Sequence, residues 1–167
     1  MFAVVATAVG LLLSACAAPT LQNGVFRSEH TAFRVGPIPE HWEPLPKVAD
    51  DPELASVAFR NPSNKSTIGV AARCYRDGDD VPLRALTQHL YIGFTDRQTM
   101  TEREFILDGR AALRTEMVAS LDGVPQHLVF VVLKKDGCVY DFWRVASYDA
   151  PDLDFDAFVS GFQVLAS

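Results

Sequence analysis

Apolar residues alternate with polar ones between evenly spaced Asp-Gly pairs in the second half of the chain. These pairs begin at Asp108, Asp122 and Asp136, fourteen residues apart each time. Asp-Gly suits the two-residue turn of a β-hairpin because both central positions require positive φ. Three such turns predict a four-stranded antiparallel meander over residues 99–147.

Two-residue turns also predict the register of this meander. They place Met117 opposite Leu128 and add Trp143 to the same apolar face. The opposite face is apolar as well, with the residues Val129, Val131, Leu133, Tyr140 and Phe142. A sheet that is apolar on both faces must be covered on both faces. The opening strand is the least regular, because the first turn sets Arg103 opposite Arg114.

Helices are predicted at the two positions where the apolar spacing changes to that of a helix. Residues 81–96 carry the stripe Leu83, Leu86, Leu90 and Phe94, and residues 152–163 carry Leu153, Phe155, Phe158 and Phe162. Further strands are predicted over residues 31–35, 55–60 and 66–75. The expected fold is therefore α+β, an antiparallel sheet with a long C-terminal meander and helices covering both faces.

The first fifteen residues contain no charged side chain, and they are too few to cross a bilayer, which takes about 20 residues. They end in Leu13-Ser14-Ala15-Cys16, which resembles the lipobox of bacterial lipoproteins. The resemblance implies that a signal peptide, residues 1–15, is removed and that Cys16 is lipidated. Residues 16–29 are then a flexible tether, and residues 30–167 are one globular domain. The alternative is an ordinary signal peptide with an incidental cysteine.

Lipidation of Cys16 leaves two cysteines, Cys74 and Cys138. An even pair in an oxidising compartment favours a disulfide. Closing that loop would stabilise the fold by about 4 kcal/mol in the loop-entropy model. The alternative is two separately buried thiols, since free cysteine packs as a small apolar residue.

The order of elements over residues 30–166 resembles the PsbP/Mog-like α/β/α sandwich. The resemblance rests on three features: Phe33-Arg34-Val35 followed by Pro39-Glu40-His41-Trp42, the long meander, and the closing helix with its phenylalanines. It implies a non-catalytic module, because members of that group include an extrinsic photosystem subunit, a Ran-binding nuclear protein and small bacterial envelope lipoproteins. Such folds host unrelated functions, so activity follows only by analogy.

Composition and the absence of known motifs limit the classes of function that the sequence supports. The net charge is −6, which argues against a nucleic-acid partner. The sequence has no nucleophile elbow, phosphate-binding loop, dinucleotide fingerprint or zinc-ligand spacing, so neither a cofactor nor a metal is expected. Four meander carboxylates are candidates for acid–base work: Glu102, Glu104, Glu116 and Asp141. Without a nucleophile, a metal or a positioned histidine, no catalytic residue is assigned. His127, near a hairpin, is interpreted as a strand-end residue.

Four aromatic residues are expected in or near loops and helix edges, where they are candidates for a partner surface: Trp42, Tyr75, Tyr91 and Tyr148.

The leading hypothesis is a non-enzymatic accessory protein of the cell envelope. It is held by a lipid anchor on the outer membrane or the periplasmic face in a Gram-negative host, and it binds a protein or an envelope component. The alternatives are a carrier of a small apolar ligand or lipid and, third, an envelope hydrolase.

Overall fold

The structure is a computed structural model that describes residues 20–46, 55–75, 81–147 and 153–166. Within these ranges the chain forms two short helices and strands that assemble into two antiparallel sheets. The strands are β1 (Thr20–Gln22), β2 (Val25–Arg27), β3 (Ala32–Arg34), β4 (Glu43–Pro44), β5 (Ala55–Arg60), β6 (Thr67–Cys74), β7 (Thr95–Leu107), β8 (Arg110–Leu121), β9 (Val124–Lys135), β10 (Cys138–Ala146) and β11 (Gln163–Val164). The helices are α1 (Leu83–Leu90) and α2 (Leu153–Ser160).

The larger sheet has seven strands in the order β4-β5-β6-β10-β9-β8-β7, and the predicted meander forms one side of it. Its predicted register is confirmed, since Met117 faces Leu128 and Trp143 faces Phe130. Even the unfavourable pairing of Arg103 with Arg114 is present. The register follows from local turn chemistry, because the Asp and the Gly of each turn both have positive φ.

The first strand of the meander is longer than predicted, and the helix before it is shorter. Instead of continuing to residue 96, α1 ends at Leu90, and β7 already begins at Thr95, which pairs with Ser120. The pairing of β7 with β8 shifts register twice before Thr101. Such irregularities are the signature of β-bulges, which a strict alternation of apolar residues does not reveal. Residues 95–96 therefore belong to the sheet instead of the helix, and residues 91–94 form the turn between the two.

The expectation that helices cover both faces of the sheet is wrong. One face is covered by α1, but the other is covered by a second sheet of four strands, in the order β1-β2-β3-β11, together with α2. The predicted closing helix over 152–163 ends at Ser160, and Gln163–Val164 pair with β3 as β11. An apolar sheet face needs only a complementary apolar surface, and a small sheet supplies it as well as a helix does.

The larger core lies between the two sheets. Buried side chains on this side come from both sheets and from α2, and they include Phe33, Val131, Phe142, Phe158 and Phe162. Two smaller clusters lie under α1 on the other face, around Phe130 and around Val132.

The second sheet begins in the range that the sequence analysis assigned to a tether. Asn23 and Gly24, both with positive φ, form a two-residue turn that pairs β1 with β2. Asn-Gly is a strong hairpin signal, and the sequence reading overlooked it. The start of the described chain is therefore fixed to the domain.

Candidate functional site

The two cysteines of the domain meet at one end of the larger sheet, where β6 ends and β10 begins. Cys74 and Cys138 face each other directly, with Cα atoms 4.0 Å apart and Sγ atoms 2.03 Å apart in a disulfide. The next pair outward is joined by a hydrogen bond in which Tyr75 N donates to Gly137 O at 2.9 Å. We call this part of the molecule the disulfide end; it includes the turn at Asp136 and the side chains of His30, Tyr75 and Tyr140. The disulfide agrees with the pairing expected from the cysteine count.

Tyr75 is an exposed aromatic residue at the disulfide end. Its side chain is 78% exposed, although its backbone has φ of 60°, a region that costs a non-glycine residue about 1–2 kcal/mol. The ring lies against Gly137, where an added Cβ would approach Tyr75 Cε1 to 3.0 Å, and it meets His30 edge-on with ring centroids 6.3 Å apart. Strained backbone of this kind concentrates at functional positions.

A surface pocket of about 300 Å³ opens beside Tyr75. Its lining combines residues of both sheets: His30, Thr31, Ala32, Tyr75, Asp136, Cys138, Tyr140, Val164, Leu165 and Ala166. The hydroxyl groups of Tyr140 and Thr31 form a buried hydrogen bond of 2.9 Å in its wall. Burial raises the pKa of the Tyr140 phenol above its usual 10.0, the hydrogen bond with Thr31 lowers that pKa in part, and the carboxylates of Asp136 and Asp108 raise it further. The phenol is therefore neutral at physiological pH.

A second pocket of about 370 Å³ lies next to the first and is lined by three cationic residues, Arg110, Lys134 and Lys135. Two of these cations are engaged within the protein. Lys135 Nζ donates to Asp108 Oδ2 at 2.7 Å, and Lys134 Nζ donates to the carbonyl of Val81 at 2.9 Å. The pocket therefore does not present three free charges to an anion.

The other candidate surface aromatics lie elsewhere. Trp42 is 7% exposed and its Nε1 donates to Asp154 Oδ2 at 3.1 Å, which ties the loop before β4 to the first turn of α2. Tyr91 is 6% exposed and packs under the end of α1. Both rings fill the interior instead of presenting a surface. Tyr148 and Cys16 lie outside the described residues.

Three of the four candidate carboxylates of the meander, Glu102, Glu116 and Asp141, are engaged in structural pairs, and Glu104 lies exposed on β7. Asp141 Oδ2 accepts hydrogen bonds from Arg73 Nε at 3.1 Å and Nη2 at 2.7 Å. Glu102 pairs with Arg84 of α1. These contacts tie neighbouring elements together, and they explain the paired carboxylates without a catalytic role.

A polar network that the sequence reading missed crosses the sheet near the end opposite to the disulfide. Arg144, only 2% exposed, donates to His127 Nδ1 at 3.0 Å, and His127 Nε2 lies 2.9 Å from Glu116 Oε1. A guanidinium can only donate, so Nδ1 accepts and the ring proton lies on Nε2. The network continues through Arg114 to Asp156 of α2 at 2.7 Å. The predicted register already places these residues on one face of adjacent strands, so the network could have been predicted from the sequence.

The described residues contain neither a metal-binding cluster nor a membrane-spanning helix. Within them, no group of three or more histidine, cysteine, aspartate or glutamate side chains is arranged to hold a metal ion. No helix in the described part of the chain has the length and apolarity needed to cross a bilayer.

Comparison with solved structures supports a PsbP-like fold. No family model and no curated protein matches the sequence. Among solved structures, the chain is similar to cyanobacterial PsbP (CyanoP) from Synechocystis sp. PCC 6803, with a TM-score of 0.57 and 16% identity over 95% of this chain and 98% of that one. It is also similar to LpqN, involved in cell envelope biogenesis of Mycobacterium tuberculosis, with a TM-score of 0.53 and 16% identity over 89% of this chain and 90% of that one.

A third similar structure is a protein of Bacteroides thetaiotaomicron VPI-5482, with a TM-score of 0.56 and 8% identity over 81% of this chain. The match spans 45% of that longer protein. At these identities the likeness concerns the fold.

Proposed function

We propose that this protein is a lipid-anchored, non-catalytic accessory protein of the cell envelope that binds a protein or another envelope component through its disulfide end. Cys16 carries the anchor, and the domain beginning with β1 carries the binding surface. The observation that carries the binding proposal is Tyr75, an aromatic side chain held 78% exposed on a strained backbone beside a pocket.

Support for the envelope location comes from the N-terminal segment and the disulfide. The sequence Leu13-Ser14-Ala15-Cys16 resembles a lipobox, and the Cys74–Cys138 bridge suits an oxidising compartment. LpqN, a protein of similar fold, is named for cell envelope biogenesis. Lipid on Cys16 would keep the domain at a membrane surface, and stable anchoring needs two or more acyl chains.

Support for a non-catalytic role comes from the hydrogen bonds of the His127 side chain. The histidine most favourably placed for general-base work is His127, beside Glu116, but both of its ring nitrogens are engaged by Arg144 and Glu116. Neither nitrogen is left to take a proton from a nucleophile or water. This arrangement is a structural network instead of a nucleophile–base pair, which argues against the hydrolase alternative.

The carrier alternative requires a cavity that encloses an apolar ligand. The pockets at the disulfide end open to the surface and contain charged and hydroxyl side chains, among them Asp136, Lys135 and Tyr140. Native mass spectrometry of the purified protein distinguishes the two functions. A co-purified small apolar molecule would favour the carrier, and a bare polypeptide mass would favour the accessory protein.

Two experiments test the proposal in cells that produce the full chain. Palmitate labelling tests the anchor: the label should appear on the protein and disappear in Cys16→Ser. Photo-crosslinking tests the binding surface, with benzoylphenylalanine placed at Tyr75 and, as a matched control, at Val124, which is 56% exposed at the opposite end of the sheet. Crosslinked product at position 75 and none at 124 is expected; equal products at both positions would contradict a specific surface.

A further inference from the structure

The lipid anchor and the disulfide end are linked by a short, measurable length of chain. Thr20 is the first described residue, and it pairs with Arg27 across β1 and β2. Arg27 in turn pairs with Ala32 of β3, which lines the pocket beside Tyr75. Adjacent strands lie about 4.8 Å apart, so Thr20 lies roughly 10 Å from Ala32. The described chain therefore begins beside the disulfide end.

Thr20 follows Cys16 by four positions, with only three residues between them. A fully extended chain spans at most about 3.6 Å per residue, so the Cα atom of Cys16 lies within about 14 Å of that of Thr20. Asn23 and Gly24 form the turn of a paired hairpin, so the residues after Thr20 are fixed in the sheet and do not lengthen the connection to Cys16. A lipid on Cys16 consequently brings this end of the domain to the membrane and directs the other end away from it.

We propose that the component bound by the disulfide end is the bilayer surface itself, with Tyr75 placed at the level of the lipid headgroups. The inference rests on the proposed lipidation of Cys16, and it names the partner of the surface already described. Tyrosine suits this position, because its ring is apolar, its hydroxyl stays hydrated, and aromatic residues are enriched at membrane–water interfaces.

Among the described residues, the charges at the disulfide end largely balance, so their pattern does not call for anionic lipid. Lys135 is paired with Asp108, and Lys134 is bonded to a backbone carbonyl. The exposed carboxylates of Glu29 and Asp136 offset the exposed cations Arg27 and Arg110. The short segment between Cys16 and Thr20 and the Tyr75 side chain therefore hold the disulfide end at the bilayer, and zwitterionic lipid is sufficient as the partner.

The opposite end of the sheet provides an internal control. Val124 is at the far end of β9, a strand of twelve residues whose last member, Lys135, borders the disulfide end. At about 3.4 Å per residue, Val124 lies roughly 40 Å from that end. A probe at Val124 should remain in water while a probe at Tyr75 touches lipid.

The test uses the proposed mature chain, from Cys16 onward, which contains every described residue. With the Cys74–Cys138 bridge intact, Cys16 is the one free thiol, so it can be coupled to a maleimide lipid in phosphatidylcholine vesicles. Tyr75→Trp and Val124→Trp are compared with the parent chain in vesicles that carry a shallow spin-labelled lipid as quencher. His30→Trp is a second reporter at the disulfide end, for use if Tyr75→Trp does not fold.

We expect a loss of emission from the tryptophan added at position 75 or 30 and no loss from the one added at 124. Uncoupled Cys16→Ser protein should show no quenching, and replacing a third of the lipid by phosphatidylglycerol should change nothing. Equal loss at both ends, loss only at position 124, no loss at either end, or quenching without coupling would overturn the inference. In the vesicle experiment the anchor is supplied by chemical coupling. Failed palmitate labelling in cells would therefore reject the lipidation of Cys16, whereas the quenching result alone tests whether the disulfide end docks on the bilayer.

Discussion

The hydroxyl groups of Tyr140 and Thr31 lie 2.9 Å apart and join the two sheets of the protein. Tyr140 belongs to β10 within the seven-stranded sheet, and Thr31 immediately precedes β3 of the four-stranded sheet. Both residues are buried, and each hydroxyl is the hydrogen-bond partner of the other. This bond shapes the pocket beside Tyr75 and fixes one sheet against the other at the disulfide end.

Removing the Tyr140 hydroxyl should destabilise the fold. Tyr140→Phe keeps the ring but leaves Thr31 Oγ1 buried without this partner, so we expect the free energy of unfolding to fall by about 1–3 kcal/mol. Urea denaturation at pH 7 measures the change. Thr31→Val in the same background is the control: the double variant should lose less than the two single losses added together. Strict additivity would show that the two hydroxyls do not interact.

The raised pKa of Tyr140 predicts a loss of stability in alkali. The unfolded chain releases this proton near pH 10, whereas the folded protein holds it to higher pH. The stabilising contribution is therefore complete below pH 10 and is lost as the pH rises through the folded pKa. Denaturation midpoints measured from pH 8 to 11 should fall less steeply for Tyr140→Phe than for the wild type. Parallel curves would contradict this assignment.

The disulfide should contribute strongly to stability. It joins residues 64 positions apart, and the loop-entropy model gives about 4 kcal/mol for a closed loop of that size. We expect Cys74→Ala/Cys138→Ala to lower the free energy of unfolding by up to that amount, measured by urea denaturation. Thiol titration of the unfolded exported wild-type protein should find these two cysteines only after reduction. Two reactive thiols without reductant would contradict the bridge.

Two glycines with different surroundings test the packing of α2 against the small sheet. A Cβ at Gly36 would lie 1.9 Å from the carbonyl oxygen of Ala157 in α2, and backbone atoms cannot move aside cheaply. Gly36→Ala should therefore cost about 3 kcal/mol or more. Gly93→Ala is the matched control, because no atom lies within 4 Å of its added Cβ. Its midpoint of thermal unfolding should stay near that of the wild type, and similar losses in both variants would refute the close approach.

The candidate site could be predicted in part. Cysteine counting indicated the Cys74–Cys138 pair, and Tyr75 was among the four candidate aromatics. Trp42 is held by Asp154 of α2, and Tyr91 packs against Phe130 of β9. Both partners are distant in sequence from the ring they cover. The strained backbone of Tyr75 and its contact with Gly137 arise where β6 meets the turn before β10. Neither feature has a local sequence signal.

The sequence by itself determined the meander and its register. Turn chemistry is local: the residue types of Asp122 and Gly123 favour the positive φ that both adopt, and each residue of β8 from Ala112 onward then has one partner on β9. The same rule would have located the β1–β2 hairpin from Asn23 and Gly24. The register also contained the His127 network, which needed only the pairing of adjacent strands.

Only the tertiary structure decided what covers each face of the sheet. Both faces of the meander are apolar, and apolar burial is not directional, so the pattern admits a helix or a second sheet equally well. The choice depends on β11 pairing with β3 and on Tyr140 meeting Thr31, contacts that span more than a hundred residues. Such contacts form only when the whole chain is folded, because no short segment has a reason to make them alone.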